Sequence, residues 1–299
     1  MIIYQGVSGD LYFSLLSSPT PALVQTDFKA RNGTPLSSGL WVDAKGATET
    51  YLYYIAEDNI LSDAIYAGGK WASGNLRNIK LKPHPESKLA SVLWLEGAGK
   101  SSQWIYFQDN DGYILEYGRL MGVGNPWNGG PDNSSEVSLL AMAGSGFGLS
   151  YDILGRASQR LRIYAQVPNG TVVSRDYSSQ LAQKWLDPYP VYTPPTTTPN
   201  EKIVDISAAT ERNGNGELLS IRLLFAAQEG RLRELSFDNS TGWDTVPLDV
   251  AVKTQARVAA GVSQGNNITA YFQEAGEEAL SLANLGPDGR WNVRTAGIN

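Results

Sequence analysis

One short pattern occurs six times along the 299-residue chain, and this repetition constrains the fold more than any other feature of the sequence. Each copy has strand-like alternation of side chains, then a tight turn, then alternation again, which is typical of a β-hairpin. The clearest copy covers 104–116 and turns at Asn110-Asp111-Gly112. The six copies begin near residues 1, 51, 104, 162, 222 and 269, so the successive spacings are 50, 53, 58, 60 and 47 residues.

This period is close to the roughly 40–50 residues that one four-stranded propeller blade occupies. The 31 Gly, 15 Pro and 30 aromatic residues also indicate many turns and many layers filled by rings. The sequence therefore predicts an all-β fold, a six-bladed β-propeller of four-stranded antiparallel blades that residues 1–299 form as a single domain.

The segments around the hairpins supply candidates for the other two strands of each blade. Short apolar stretches precede the last five hairpins and are predicted as inner strands, at 39–42, 89–94, 139–143, 204–209 and 256–260. A tryptophan follows each of those hairpin starts by 20 to 23 residues and is predicted on the outer strand: Trp71, Trp127, Trp185, Trp243 and Trp291. Since nothing precedes the first hairpin, we expect 293–298 to complete its blade. The prolines of 188–199 predict a surface connection between two blades.

Composition excludes several classes of function. The 24 Lys and Arg against 30 Asp and Glu give a net charge of −6, so no basic surface is expected to bind nucleic acid. Because the chain has no Cys and a single His, His84, disulfides, thiolate chemistry and two-histidine metal sites are excluded, and we expect neither a cofactor nor a metal. No apolar run reaches the ~18 residues of a bilayer-spanning helix, so no membrane insertion is expected.

The location of the protein stays open between two alternatives. The sequence begins directly in a strand-like pattern without the apolar core of a signal peptide, so the chain is either cytoplasmic or has lost a leader. Five Asn-x-Ser/Thr sequons favour secretion slightly, at Asn32, Asn133, Asn169, Asn239 and Asn267.

Five segments carry a resemblance to a known family: Asp58-Asn-Ile-Leu-Ser, Ala67-Gly-Gly-Lys-Trp, Ile105-Tyr-Phe-Gln-Asp, Asn125-Pro-Trp-Asn-Gly-Gly and Arg160-Leu-Arg-Ile-Tyr-Ala-Gln. They resemble the repeats of the fungal fucose-specific lectins of the orange-peel-fungus type, and the resemblance spans essentially the whole chain. It implies a sugar pocket between blades with an Arg at the hairpin start, a Glu twelve residues later and an outer-strand Trp or Tyr. Arg and Glu hydrogen-bond sugar hydroxyls, and the ring packs on the apolar face of the sugar.

Only one copy keeps both polar residues of that pocket, Arg222 with Glu234, and Trp243 is the predicted ring of this site. The corresponding pairs in the other copies are Met1/Phe13, Tyr51/Asp63, Trp104/Glu116, Arg162/Ser174 and Thr269/Ser281. The resemblance thus implies a single fucose site and loss of the gain in strength that several sites provide.

The Met, Phe, Tyr and Trp replacements suggest a different use, as apolar pockets for hydrophobic small-molecule substrates. A second resemblance, to lectin-like propellers of fungal natural-product clusters, implies a cofactor-free hetero-Diels–Alderase that joins a humulene-type sesquiterpene alkene to a tropolone quinone methide. Cycloaddition needs positioning rather than a metal or a thiol. The candidate catalytic residues are Arg162 and Tyr51 as hydrogen-bond donors to the carbonyl and Glu116 as an aid to loss of water. The candidate substrate-binding residues are Trp104, Tyr53, Tyr66 and Trp94.

Two functions from different classes therefore remain open. One is the hetero-Diels–Alderase, and the alternative is a lectin that binds fucosylated glycans through Arg222, Glu234 and Trp243. Packing between blades is the plain alternative for Trp104 and Tyr51, and a relic of a sugar site is the alternative for Arg162. Likeness to the lectins also implies a homodimer.

Overall fold

The structure is a computed structural model that describes residues 1–15, 18–43, 46–96, 100–121, 126–129, 136–153, 159–178, 184–194, 201–213, 218–227, 229–254, 256–262, 267–277, 279–286 and 289–295. Within these residues, 25 strands form six small antiparallel sheets, and the only helix is a 3₁₀ turn at Leu76–Ile79. No described helix is long and apolar enough to cross a membrane. The chain divides into two compact units, Met1–Ser138 and Leu139–Asn299.

The first unit contains sheets 1 to 3, numbered in chain order. Sheet 1 consists of β1 (Ile2–Gln5), β2 (Leu11–Leu15) and β3 (Ser18–Leu23). Sheet 2 consists of β4 (Ser37–Val42), β5 (Thr48–Ile55), β6 (Leu61–Ala67) and β7 (Lys70–Ser73). Sheet 3 consists of β8 (Leu89–Glu96), β9 (Lys100–Gln108), β10 (Tyr113–Leu120) and β11 (Asn128–Gly129), with β12 (Glu136–Leu140) also paired to β10.

The second unit contains sheets 4 to 6. Sheet 4 consists of β13 (Phe147–Ile153), β14 (Gln159–Gln166), β15 (Val172–Ser178) and β16 (Lys184–Trp185), with β17 (Tyr189–Tyr192) also paired to β15. Sheet 5 consists of β18 (Ile203–Arg212), β19 (Leu218–Ala227), β20 (Arg231–Asp238) and β21 (Gly242–Ala251). Sheet 6 consists of β22 (Val258–Val262), β23 (Ile268–Phe272), β24 (Ser281–Leu285) and β25 (Trp291–Thr295).

All six predicted hairpins are present, and each turn contains one residue with left-handed backbone: Gly9, Asn59, Gly112, Gly170, Gly230 and Gly276. In Asp109–Gly112, for example, the Gly112 N–H donates to the Asp109 carbonyl at 3.2 Å, and the Asp109 N–H donates to the Tyr113 carbonyl at 2.9 Å. This is a type I turn closed by a bulge, which needs a residue that tolerates positive φ. The turn chemistry read from the sequence therefore placed the hairpins correctly.

At two of these turns, a glutamine side chain hydrogen-bonds both the turn and the connection that follows the hairpin. Gln166 is fully buried, and its Nε2 donates to the carbonyls of Gly170 at 3.0 Å and Glu201 at 2.5 Å. Its Oε1 accepts a hydrogen bond from the Ile203 N–H at 2.8 Å. Gln5 has the same bonding pattern at the first turn, with Nε2 donating to the carbonyls of Gly9 and Arg31. The amide thus satisfies backbone groups that would otherwise be buried without partners.

The predicted inner strand at 139–143 is wrong. The first strand of sheet 4 is β13, which pairs with β14 from Phe147↔Ala165 to Ile153↔Gln159. Leu139 instead lies in β12, a strand of sheet 3. The error arises because Gly146 and Gly148 weaken a strand pattern, whereas here their missing side chains let β13 approach the backbone of β18 closely.

Two further predictions about connections are wrong. Val293 lies in β25, where it opposes Ala283, so Trp291–Thr295 forms the fourth strand of sheet 6 rather than completing sheet 1. The remainder of that prediction, 296–298, lies outside the described residues. In the predicted connection 188–199, Tyr189–Tyr192 is an edge strand, with Pro190 opposite Val173 beside a bulge, and 195–199 lie outside the described residues. Pro is tolerated there because an edge position does not require its N–H.

Candidate functional site

Four of the five outer tryptophans lie opposite a residue on the third strand of their own sheet: Trp71 opposes Tyr66, Trp185 opposes Tyr177, Trp243 opposes Phe237 and Trp291 opposes Leu285. The fifth, Trp127, directly precedes β11. Where contacts to another sheet are seen within a unit, the indole reaches the preceding sheet. Trp71 contacts Phe13, Trp127 contacts Tyr53, Trp243 contacts Tyr164 and Trp291 contacts Glu234. Each of these rings therefore belongs to the cleft between its own sheet and the one before it, and we name each cleft by its two sheets.

Cleft 5/6 brings together an arginine, a carboxylate and an indole. Arg222 on β19 opposes Ser236, and Glu234 lies two residues earlier on β20, on the same face of sheet 5. The Arg222 Nη1 donates to Glu234 Oε1 at 2.9 Å. From sheet 6, the Trp291 Nε1 donates to Glu234 Oε2 at 2.6 Å. Both oxygens of the carboxylate are thereby held in place by donors on two different sheets.

The carboxylate of this cleft is more deeply buried than the arginine that pairs with it. The Glu234 side chain is 0% exposed, whereas that of Arg222 is 17% exposed. A buried carboxylate is costly unless it is paired and hydrogen-bonded, and both conditions are met here. The Nε of Arg222 is buried and has no hydrogen-bond partner. Arg222 therefore keeps donor capacity beyond its bond to Glu234, and Trp291 adds a partly buried ring.

The predicted trio is only partly brought together. Arg222 and Glu234 are in contact, but Trp243 lies in cleft 4/5, where its ring centroid is 5.6 Å from Tyr164 and 5.2 Å from Phe237. The indole that contacts Glu234 instead belongs to Trp291, which the sequence did not place with this pair. The repeat did not identify it, because the repeat alone does not say which neighbouring sheet an outer-strand ring faces.

In cleft 4/5, Arg162 lies close to a carboxylate, but this acid is not at the predicted position twelve residues after the arginine. Arg162 opposes Asp176, and the Arg162 Nε lies 3.6 Å from Asp176 Oδ2. Ser174, which occupies the predicted partner position, donates a hydrogen bond from its Oγ to Asp176 Oδ1 at 2.8 Å. Arg162 and Asp176 are both buried, and the Phe237 ring lies 6.0 Å from the Arg162 guanidinium carbon.

Cleft 2/3 is filled by its own side chains. Tyr51 is 4% exposed, Tyr53 is 0% exposed, and both belong to a hydrophobic cluster with Trp127. Burial raises the pKa of both tyrosines. The Arg119 guanidinium carbon lies 5.1 Å from the Tyr51 ring and 4.7 Å from the Trp127 ring, at favourable cation–π distances.

The acid of cleft 2/3 is covered by the 3₁₀ turn that follows sheet 2. Asp63 is 2% exposed, and its Oδ1 accepts a hydrogen bond from the Leu76 N–H at 2.9 Å. Its Oδ2 is buried without a hydrogen-bond partner, and burial raises the pKa of the carboxyl group. The turn therefore packs on the Asp63 carboxyl group, and Tyr51 and Tyr53 have the surroundings of core residues.

Three other candidate residues have distinct settings. The Trp104 ring lies against Gly118, where a Cβ would come within 2.2 Å of it, and its Nε1 donates to Ser102 Oγ at 2.9 Å. Glu116 is 1% exposed. Trp94 lies in β8, and its side chain is outside the described part of the chain.

In the sixth copy, the strand register separates the two residues of the predicted pair, Thr269 and Ser281. Thr269 opposes Asn284, whereas Ser281 opposes Phe272, so the side chains of Thr269 and Ser281 lie on opposite faces of sheet 6. Leu282 takes the position that corresponds to Glu234, because the sixth hairpin is one residue longer. In the described ranges, no three His, Cys, Asp or Glu side chains are grouped so that they could hold a metal ion.

Comparison with known proteins identifies the class. Residues 25–296 match the model of the fungal fucose-specific lectins, and the chain belongs to this family. A fucose-specific lectin of Aspergillus oryzae is 26% identical over 249 residues, which cover 82% of this chain and 73% of the relative.

Solved structures define the fold. The lectin of Aleuria aurantia, whose structure is described as a six-bladed β-propeller, is 19% identical with a TM-score of 0.70 over 98% of this chain and 93% of that protein. A variant of the same lectin in complex with Fucα1-6GlcNAc gives a TM-score of 0.74 at 19% identity, over 98% and 90%. The chain is thus a six-bladed β-propeller whose blades are small antiparallel sheets, as the repeat predicted.

Proposed function

We propose that the protein is a lectin that binds a fucosylated glycan in cleft 5/6. The observation that carries this proposal is the contact of Arg222 and Trp291 with the two oxygens of Glu234. Family membership supports it, as does the Fucα1-6GlcNAc complex of the Aleuria aurantia lectin variant.

The chemistry of cleft 5/6 suits a sugar. Arg222 offers hydrogen-bond donors in a fixed plane to hydroxyl oxygens, and Glu234 offers acceptors to hydroxyl protons. Because two donors already orient the carboxylate, little side-chain freedom is lost when a sugar binds. The Trp291 ring supplies an apolar surface for the C–H face of the sugar.

The cycloaddition reading has less support and stays a prediction. The relatives compared above are lectins. Its candidate catalytic side chains are withdrawn from solvent, with Tyr51 4%, Arg162 4% and Glu116 1% exposed.

Calorimetric titration with α-methyl-L-fucoside tests the proposal. We expect one site per chain, and we expect Arg222→Ala to weaken binding by about 10- to 100-fold, the worth of a hydrogen bond from a charged donor. Arg231→Ala is the matched control, since Arg231 is an exposed arginine at the start of β20, and it should leave affinity unchanged. Absence of fucoside binding to the unaltered protein, or equal effects of the two substitutions, would contradict the proposal.

A further inference from the structure

Cleft 1/2 carries three aromatic rings and an indole N–H without an acceptor. The Phe13 ring centroid is 5.4 Å from that of Tyr66 and 5.7 Å from that of Trp71, and the Tyr66 and Trp71 centroids are 5.3 Å apart. Trp71 is 7% exposed, and its Nε1 is buried with no hydrogen-bond partner. Phe13 and Tyr66 are partly exposed, so the ring cluster reaches the surface.

Comparison with cleft 5/6 shows what has changed. Trp71 corresponds to Trp291, and Phe13 corresponds to Glu234, the acceptor of the indole N–H in cleft 5/6. At the position of Arg222 the chain has Met1. Cleft 1/2 has therefore lost the two residues that would serve sugar hydroxyls, while the indole donor is retained.

We propose that cleft 1/2 binds an apolar, ring-containing small molecule that carries one carbonyl oxygen, and that this oxygen accepts the hydrogen bond of the Trp71 Nε1–H. A buried donor without an acceptor is unfavourable, so a ligand that supplies one gains more than its apolar contacts alone. The edge-to-face Phe13–Trp71 pair, at an interplanar angle of 68°, is of the kind that a further ring extends. This site is independent of the sugar site in cleft 5/6.

The partly exposed rings explain how such a ligand reaches a buried donor. Phe13 and Tyr66 each contact Trp71, and both are aromatic side chains at the surface of the cluster. Binding requires Phe13 or Tyr66 to rotate away from Trp71, a side-chain motion that leaves the backbone ladders β1–β2 and β6–β7 in place.

A matched pair of ligands tests the role of the donor in the unaltered full chain. 2-Acetylnaphthalene and 2-ethylnaphthalene have the same ring system and similar size, but only the ketone has an acceptor. We expect saturable binding of both, with the ketone favoured about fivefold, the ratio that corresponds to a hydrogen bond of about 1 kcal/mol. Trp71→Phe, which removes the N–H and keeps an aromatic ring, should abolish this preference.

Controls separate this site from the others. Trp243→Phe makes the same change in cleft 4/5 and should leave the preference intact. Phe13→Glu restores an internal acceptor to Trp71 and should also abolish the preference, which provides a second variant if Trp71→Phe folds poorly. Saturating α-methyl-L-fucoside should not displace the ketone. The proposal is overturned if the unaltered protein binds neither naphthalene or shows no preference, if Trp71→Phe keeps it, or if fucoside displaces the ketone.

Discussion

The Trp291 Nε1 lies 2.6 Å from the Glu234 Oε2, although the two residues are 57 positions apart and belong to different sheets. This bond holds one carboxylate oxygen, while the Arg222 Nη1 donates to the other, Oε1, at 2.9 Å. Without it, Glu234 would keep one donor and gain rotational freedom. The indole N–H is therefore expected to matter for sugar binding even though a ligand need not contact it.

The contribution of the Trp291 N–H to sugar binding can be separated from that of its ring. Trp291→Phe keeps an aromatic surface but removes the donor, so we expect fucoside affinity to fall by about tenfold, as for loss of a hydrogen bond to a charged group. Trp243→Phe is the matched change in cleft 4/5 and should have no effect. Titration of both variants checks this, and equal affinities for Trp291→Phe and the unaltered protein would show that the bond is dispensable.

The sequence predicted those features whose determining residues lie close together along the chain. The hairpins were predictable because residues such as Asn59 and Gly112 meet a backbone requirement within four residues. Arg222 and Glu234 were predictable as a pair because one hairpin fixes their separation. Trp291 was not, because its partner lies on another sheet and the repeat alone does not say which neighbouring sheet the ring faces.

Two other features were not predicted from the sequence, the acid Asp176 and the strand Phe147–Ile153, and each has a specific cause. Asp176 lies two residues beyond the expected acid position, on the same face of the strand, and directly opposes Arg162. The strand Phe147–Ile153 was missed because Gly148 reads as a strand breaker. Its lack of a side chain is instead what close packing on Ile206 requires.

Gln166→Ala should strongly destabilise the second unit. The substitution removes three hydrogen bonds, to the carbonyls of Gly170 and Glu201 and from the N–H of Ile203, at a fully buried position. At about 1 kcal/mol or more for each buried group left without a partner, the free energy of unfolding should fall by about 3 kcal/mol. Urea denaturation measures this. Gln273→Ala is the control, because Gln273 is only partly buried and its bond to the Glu277 carbonyl is exposed, so it should cost less than Gln166→Ala. Similar losses in the two variants would contradict the prediction.

Gly146→Ala should be at least as damaging, for a steric reason. A Cβ at Gly146 would lie 2.3 Å from the Asp205 Cα, and a backbone atom cannot move aside as a flexible side chain can. We expect a loss of about 3 kcal/mol or failure to fold. Gly261→Ala is the control, because a Cβ on Gly261, which lies in β22, meets nothing within 4 Å. Thermal unfolding of both variants decides the matter, and a stable Gly146→Ala protein would mean that β13 and β18 are not packed this tightly.

Asp63→Asn should change how stability depends on pH. Burial raises the pKa of Asp63, so the folded protein retains a proton that the unfolded chain releases at the ordinary carboxyl value of about 3.9. This contribution is fully present below the unfolded pKa and is lost as pH rises through the folded one. Asn cannot titrate and can still accept the Leu76 N–H. The variant should therefore gain stability relative to the unaltered protein as pH increases across that interval.

Asp58→Asn provides a control of opposite sign. The hydrogen bond from Arg77 lowers the pKa of Asp58, so its contribution is present above the unfolded pKa and is lost as pH falls through the folded one. Melting temperatures measured from pH 3 to pH 8 should diverge in opposite directions for the two variants. Parallel curves for Asp63→Asn and the unaltered protein would mean that the Asp63 carboxyl is solvated rather than sealed beneath the 3₁₀ turn.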